Sequence, residues 1–316
     1  MADVAEILEA FFGPGIGEMA EAFGVDTPVF RPSAKKRGPN RKSVALRAAL
    51  MDIVADQQPM TLRQVYYQAT VRGLVPKTES GYRRIGYQIL HMRRDHELPY
   101  SWISDNTRWM RKPDSYSSLG DMLDVVTYTY RRALWDSQPC YVEIWCEKDA
   151  LAGVIYEETR PWDVPLMVSR GFSSDTYLYE AAEHIKEVDK PAFVYLVSDF
   201  DGAGLDLARA VERGLRRFAP HADLTFERVA VVPDQVEDWD AVSRDPKPKD
   251  RGRPEFAGGC VELDALPPLQ LRGIVRTVIE AHIDEDELTR HKTIERAERE
   301  SLREITSAMR RPGEAR

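Results

Sequence analysis

Cysteine is scarce in this 316-residue sequence: Cys140, Cys146 and Cys260 are the only three, and no two of them form a C-x-x-C pair. An odd, scattered set excludes a disulfide framework and a zinc ribbon, and it fits a reducing cytoplasm. The six histidines contain no H-E-x-x-H, so helix-borne zinc hydrolysis has no ligands here. Long apolar runs are missing as well. Stretches such as Ala192–Val197 are strand-sized, and nothing is long enough to span a membrane. The N-terminus opens on acidic residues without a basic n-region, which argues against a secretory signal.

What is present is the composition of an ordinary globular protein, 43% hydrophobic and 30% charged, with enough chain for two domains. The net charge of −8 argues at first against nucleic acid, but its distribution reverses that. Between Arg31 and Lys112 there are 17 Lys and Arg against 6 Asp and Glu; from Asp136 onward there are 25 against 37. A basic module therefore precedes an acidic one, the asymmetry expected where one part of a chain contacts nucleic acid. A basic face that is merely solvated explains the charge equally well.

Along the chain, residues 1–42 divide into two short apolar helices, Val4–Phe12 and Ile16–Phe23, and a polar arm, Arg31–Lys42, suited to phosphate contact. Helices are expected over Ser43–Ala55, Leu62–Arg72 and Tyr82–Asp95. Thr61 caps the second and Gly73 closes it. Extended pieces at Leu98–Ile103 and Thr107–Trp109 follow, around the turn Ser104-Asp105-Asn106. Three helices and a hairpin give the order of a winged helix, whose third helix enters the major groove, although a plain three-helix bundle has the same order. Arg83, Arg84, Arg93 and Arg94 lie outside the apolar stripe of that third helix and become the candidate DNA contacts. A connecting helix, Leu119–Trp135, leads into a second regime in which strands alternate with helices, the mark of a mostly parallel sheet. The expected strands are Cys140–Cys146, Pro165–Ser169 and Ala192–Ser198, the expected helices Asp149–Glu158, Thr176–Lys186 and Leu205–Phe218. Ser243–Pro254 is expected as a loop and Gln270–Met309 as helix. The fold class is therefore α/β, with a segment 1–42, a module 43–135 and a sheet domain 136–316.

Two of these strands end in acids, Cys146 running into Glu147-Lys148 and Ser198 into Asp199-Phe-Asp201-Gly-Ala-Gly204. Alternate residues of extended chain point the same way, so Asp199 and Asp201 project together, and a neighbouring parallel strand places Glu147 beside them. Three converging carboxylates call for a hard divalent cation, Mg²⁺ or Mn²⁺, held through oxygen. Gly202 and Gly204 leave room for a phosphate. The bland alternative makes either Asp a helix N-cap. A dinucleotide-binding turn fits poorly, because Leu207 stands where a third small residue belongs.

On the helix Leu62–Arg72, the residues Leu62, Val65, Tyr66 and Ala69 form one arc, while Arg63 and Tyr67 stand four apart on another face. A phenol with its ordinary pKa near 10 needs a base, a metal or adjacent cations to act as a nucleophile. Arg63 supplies one such cation. Taken alone, an Arg–Tyr pair on a helix is usually structural.

Taken together these segments resemble a known family. Glu147-Lys148 and Asp199-x-Asp201-x-x-Gly204, each after an apolar strand, resemble the Toprim domain of topoisomerases, primases and related nucleases. Arg63-Gln-Val-Tyr-Tyr67 is similar to the R-D-I-Y-Y motif of topoisomerase VI A subunits and of the transesterases that make meiotic double-strand breaks. Arg170-Gly-Phe-Ser-Ser-Asp-Thr176 and Cys260-Val-Glu-Leu-Asp-Ala-Leu-Pro267 resemble later blocks of the same family. The resemblance covers roughly residues 43–283 and is closest to short stand-alone A-subunit homologues of bacteria, plasmids and phages. Gln64 replaces the usual acid of the tyrosine motif, and Gly202 stands where the family often has proline.

The resemblance implies a CAP-like winged helix joined to a Toprim domain, cleaving double-stranded DNA in an isomerase-class reaction. It implies Tyr67 as the residue that becomes joined to a 5′-phosphate, assisted by Arg63, with Glu147, Asp199 and Asp201 as ligands of Mg²⁺ and Lys148 near the DNA. A homodimer, in which the tyrosine of one subunit meets the metal of another, and a separate ATPase B-like subunit are the implied partners. Two other readings stay open: a Toprim nuclease using metal-activated water, and a DNA-binding replication or partition factor with inert acids.

Overall fold

A computed structural model describes residues 41–104, 113–171, 173–238, 243–251 and 253–309. The expected helices before Arg41, most of the basic arm, and the second half of the expected hairpin at 107–109 lie outside these residues. Ser43–Arg316 form one compact unit.

Three helices open the described chain: α1 (Arg41–Gln57), α2 (Leu62–Val71) and α3 (Glu79–Arg94). Thr61 caps α2 through a full capping box, its hydroxyl accepting from the Gln64 amide while the Gln64 side chain accepts from the Thr61 amide. The glutamine that departs from the resembled motif is thus the residue that closes the cap. Gly73, at φ +67°, takes the left-handed conformation that ends the helix without a Cβ penalty. Arg47 of α1 reaches Gln88 on α3 and then Asp95 and Glu97 beyond it, which locks the first helix to the third.

The expected strand Leu98–Ile103 is instead a 3₁₀ turn at Tyr100–Trp102 followed by a two-residue strand. That strand, β2 (Ile103–Ser104), pairs in parallel with β1 (Met60–Thr61). Pro99, which cannot donate to a ladder, stands at the start of the turn in place of a strand residue. The connecting helix also ends early, α4 covering Leu119–Thr129.

The second half is an α/β layer with a four-stranded sheet in the order β4-β3-β5-β6, parallel throughout. Its strands are β3 (Tyr141–Cys146), β4 (Leu166–Val168), β5 (Ala192–Val197) and β6 (Leu224–Ala230). Helix α5 (Ala152–Thr159) links β3 to β4, α6 (Asp175–Val188) links β4 to β5, and α7 (Gly202–Phe218) links β5 to β6. The helices α6 and α7 pack on each other, and α5 packs on a later helix, α9. Beyond β6 come α8 (Pro233–Asp238) and a small antiparallel pair, β7 (Ser243–Arg244) with β8 (Cys260–Val261). The last two helices, α9 (Pro268–Glu280) and α10 (Glu285–Met309), replace the single helical stretch expected there. Among the described residues no helix is long and apolar enough to cross a membrane.

One continuous core runs from Leu46 on α1 through the sheet to Leu288 on α10, so the helical module and the sheet share an interior. Arg272 of α9 ties them further, donating to the carbonyls of Gln57, Gln58 and Pro59 at the end of α1. This strut fixes the turn that leads into α2. The sheet order has a second consequence. The chain leaves β3 toward β4 on one side and leaves β5 toward β6 on the other, so connections diverge between two adjacent strands. That divergence opens a crevice at the carboxyl ends of β3 and β5, where open α/β sheets hold their ligands.

Candidate active site

Glu147 follows directly on β3 and Asp199 comes two residues after β5, which puts both acids at the crevice. The Asp199 amide donates to Glu147 Oε2 at 3.1 Å. Burial, and then the charge of Asp199, pushes the Glu147 carboxyl above the usual range. Asp199 is likewise raised, burial outweighing the Lys148 ammonium and the Leu263 amide, which donates to its Oδ1 at 2.8 Å.

Asp201 is placed differently from the sequence expectation. It lies at the same mouth but is turned into its own basic surroundings, 2% exposed, with Oδ2 2.7 Å from Arg244 and 3.1 Å from Lys247. Its other oxygen accepts from the Gly204 amide at 2.9 Å, so Asp201 is the N-cap of α7. Burial alone would raise this acid; the Gly204 amide, Lys247 and Arg244 outweigh it and hold the carboxyl below its usual range. Accordingly, among the described residues no three His, Cys, Asp or Glu side chains converge as an ion site. The two glycines leave no room for a phosphate either. A Cβ at Gly202 would stand 1.9 Å from Asp250 Oδ1, and one at Gly204 would stand 2.1 Å from the Asp199 carbonyl. The close approach that required glycine is made by the protein itself.

Lys148, expected at the DNA, points inward. Its Nζ lies 2.7 Å from Asp199 and 2.6 Å from Asp264, and these two carboxylates push its pKa up against the effect of burial. The metal question turns on this arrangement. Asp199 and Asp201 each carry ammonium or guanidinium groups within 3.1 Å, so positive charge already occupies the positions where an ion would sit. The acids offer the hard oxygens that Mg²⁺ takes, but an ion bound by them would have to displace Lys148 and Arg244.

Tyr67 reaches the same region from α2. Its face of the helix, expected to stand clear of the core, is covered by residues 262–265, and the residue is 5% exposed. The hydroxyl is not sealed among apolar groups, however. It faces Glu262, and burial together with that carboxylate pushes the phenol well above its ordinary pKa, with Arg63 opposing. Lys77 sits 5.8 Å from the ring centroid and donates to the Ser243 carbonyl. Glu262 lies 3.7 Å from Arg63, 3.7 Å from Arg244 and 3.9 Å from Lys148, and its Oε2 is buried without a hydrogen-bond partner. The neighbouring Tyr66 is spent on structure, its hydroxyl donating to the Thr78 carbonyl at 3.2 Å.

Four residues of this cluster, Arg244, Lys247, Glu262 and Asp264, were not among the sequence candidates. Glu262 and Asp264 stand in the Cys260–Pro267 block already singled out, and their alternation was the available signal. The segment is brought in by the bridge from Val261 to Phe200, which no local pattern announces. The other singled-out block touches the mouth too: the Gly171 amide donates to the Glu147 carbonyl, and Arg170 pairs with Asp149 at 3.1 Å.

On α3, Arg83 is exposed and pairs with Glu79, and Arg84 and Arg94 are exposed. Arg93 is partly drawn in, stacking on Tyr100 at 4.3 Å and donating to its carbonyl. Between α2, α3 and the mouth of the sheet lies a cavity of about 740 Å³, lined by Arg63, Tyr82, Arg93, Lys148 and Asp264 among others. Comparison with known proteins gives no matching family model and no matching curated sequence.

Proposed function

We propose that this chain is a DNA-binding, divalent-metal-dependent DNA-cleaving transesterase of the topoisomerase VI A-subunit kind, an isomerase-class reaction. In this reading residues 43–135 are a winged helix and residues 136–316 a Toprim domain. Tyr67 attacks a backbone phosphate and becomes its 5′-phosphotyrosine ester. Arg63, one turn away, neutralises charge on the phosphate as the phenol oxygen bonds to it. The exposed arginines of α3 hold the duplex by its backbone, and the cavity beside Arg63 and Arg93 admits the strand.

Glu147, Asp199 and Asp201 would hold Mg²⁺ or Mn²⁺. Bound there, the ion supplies Lewis-acid stabilisation of phosphate charge. The chain's own residues do the rest. Lys148 and Arg244, when displaced from the acids, would be free to contact phosphate, and the segment 260–265 covers Tyr67 and brings Glu262 and Asp264 to it.

The observation that carries the reading is that a chain of charged contacts, Glu262, Lys148 and Asp264, links Tyr67 to Asp199 and Glu147 at the switch point of the sheet. This juxtaposition lies within one chain, so assembly across a homodimer is a separate proposal, as are a B-like ATPase partner and association with nucleoid, plasmid or phage DNA. The test is incubation of the protein with supercoiled DNA and Mg²⁺ or Mn²⁺, stopped with detergent and divided before protease treatment. Cleaved DNA that enters a gel only after proteolysis is the expected result. The burial of Tyr67 favours one alternative, a Toprim nuclease that uses metal-activated water. Cleaved DNA free of protein, retained in Tyr67→Phe, would establish that reading instead. Binding with no metal-dependent cleavage would leave a non-catalytic DNA-binding factor.

A further inference from the structure

We propose that Glu262 is the general base for Tyr67, taking the phenol proton as the oxygen attacks. The assignment rests on the transesterase reading above and adds to it the residue that activates the nucleophile.

Three observations carry it. Glu262 opens the 262–265 segment that covers Tyr67, stands 3.7 Å from Arg63 one turn away on α2, and is the acid that acts most strongly on the phenol. Its Oε2 is buried and has no hydrogen-bond partner, so an acceptor is left over in the site. The cations around it, Arg63 on α2, Lys148 after β3 and Arg244 on β7, stand at 3.7–3.9 Å. They lie beyond hydrogen-bonding range, which leaves the lone pairs of Oε2 available. Lys77, from the α2–α3 connection, and Asp264, two residues on, complete the charged groups facing the pair. A loose contact of this kind is what a base shows before substrate tightens it. Glu147, Asp199 and Asp201 have other partners, and none of them faces the phenol so directly.

The step balances without any further reactant. Tyr67 Oη bonds to phosphorus, the P–O3′ bond breaks, and the phenol proton passes to Glu262. Water protonates the departing 3′-oxygen, and Glu262 returns its proton to solvent, so no net proton is consumed.

The test uses the full chain under single-turnover conditions with DNA and Mn²⁺, scoring covalent adduct. Glu262→Gln and Glu262→Ala should each slow adduct formation by about a hundredfold or more while DNA binding is unchanged. Formate should restore part of the rate in Glu262→Ala and none in Tyr67→Phe. A second readout does not depend on cleavage: with ¹³Cζ-labelled tyrosine, the Tyr67 phenol should titrate at lower pH in Glu262→Gln than in the parent protein. Adduct formation within threefold of the parent in both variants, or an unshifted phenol titration, overturns the proposal and leaves the transesterase reading standing. Absence of any Tyr67 adduct in the parent protein overturns both.

Discussion

The middle and the mouth of the sheet hold the same residue type four positions apart on one strand. Glu143, at the centre of β3, is 1% exposed and accepts from the Tyr141 hydroxyl at 3.0 Å and the Trp145 indole at 2.8 Å. Burial raises its carboxyl. Glu147 is also raised by burial, but beside it lies Asp199, a second acid, whose amide donates to the Glu147 carboxylate. The two glutamates share a perturbed titration and differ in what answers it. In the interior the donors are provided and the acid is spent on packing. At the mouth, like charges are held together, relieved by the Lys148 side chain and by single backbone amides. A shifted pKa therefore points to chemistry only where the compensating groups can be exchanged.

The largest expected break in this comparison is catalytic. Glu147→Gln and Asp199→Asn should each lower cleavage by more than a hundredfold, measured as adduct formed per turnover, without loss of DNA binding. Glu143→Gln should leave the rate per folded molecule unchanged.

Stability should follow the opposite order. Glu143→Ala strands two buried donors and should cost about 2–3 kcal/mol in urea denaturation. Glu147→Gln relieves repulsion and should be neutral or stabilising at pH 7. The pH dependence sharpens the same contrast. Glu147 and Asp199 have folded-state pKa values above their unfolded ones, so their stabilising contribution is complete below the unfolded values and is lost as pH rises through the folded ones. Asp201, held low, contributes above its unfolded pKa and loses that contribution in acid. Mg²⁺ at neutral pH should raise the Tm of the parent protein and not that of Glu147→Gln, since a ligand of the native state stabilises it by mass action. An equal Mg²⁺ response in both would dissolve the distinction between mouth and interior.

The smallest effect lies off the sheet. Arg84→Ala and Arg94→Ala on α3 should weaken DNA binding alike across sequences and lower its salt slope by about one each if both touch phosphate. Neither should change stability.

Much of this site is written in local pattern. β3 and β5 are apolar runs that end in acids, and parallel pairing of buried strands brings those ends together. Thr61, Gly73 and the repeat on α2 define the tyrosine helix within a residue or two. Other parts depend on tertiary contact. β6, Leu224–Ala230, escaped because it is an edge strand whose Thr225, Glu227 and Arg228 break the apolar run. Tyr67 stands off the arc expected to be buried on α2, and no helical period reveals that residues 262–265 cover it. Glu262 comes from beside a two-residue strand, too short for periodicity to register. Asp199 and Asp201 share an extended segment, yet the N-cap role of Asp201 separates their surroundings, an outcome visible only once α7 begins at Gly202.

Tyr67, rather than its neighbour, is the proposed nucleophile, so the most direct measurement is peptide mass mapping of the detergent-trapped protein after reaction with DNA and nuclease trimming. A nucleotide mass on the peptide that carries both tyrosines, fragmenting to Tyr67 and absent in Tyr67→Phe, is the predicted result. Modification at Tyr66, or metal-dependent cleavage with no nucleotide bound to either residue, would contradict it.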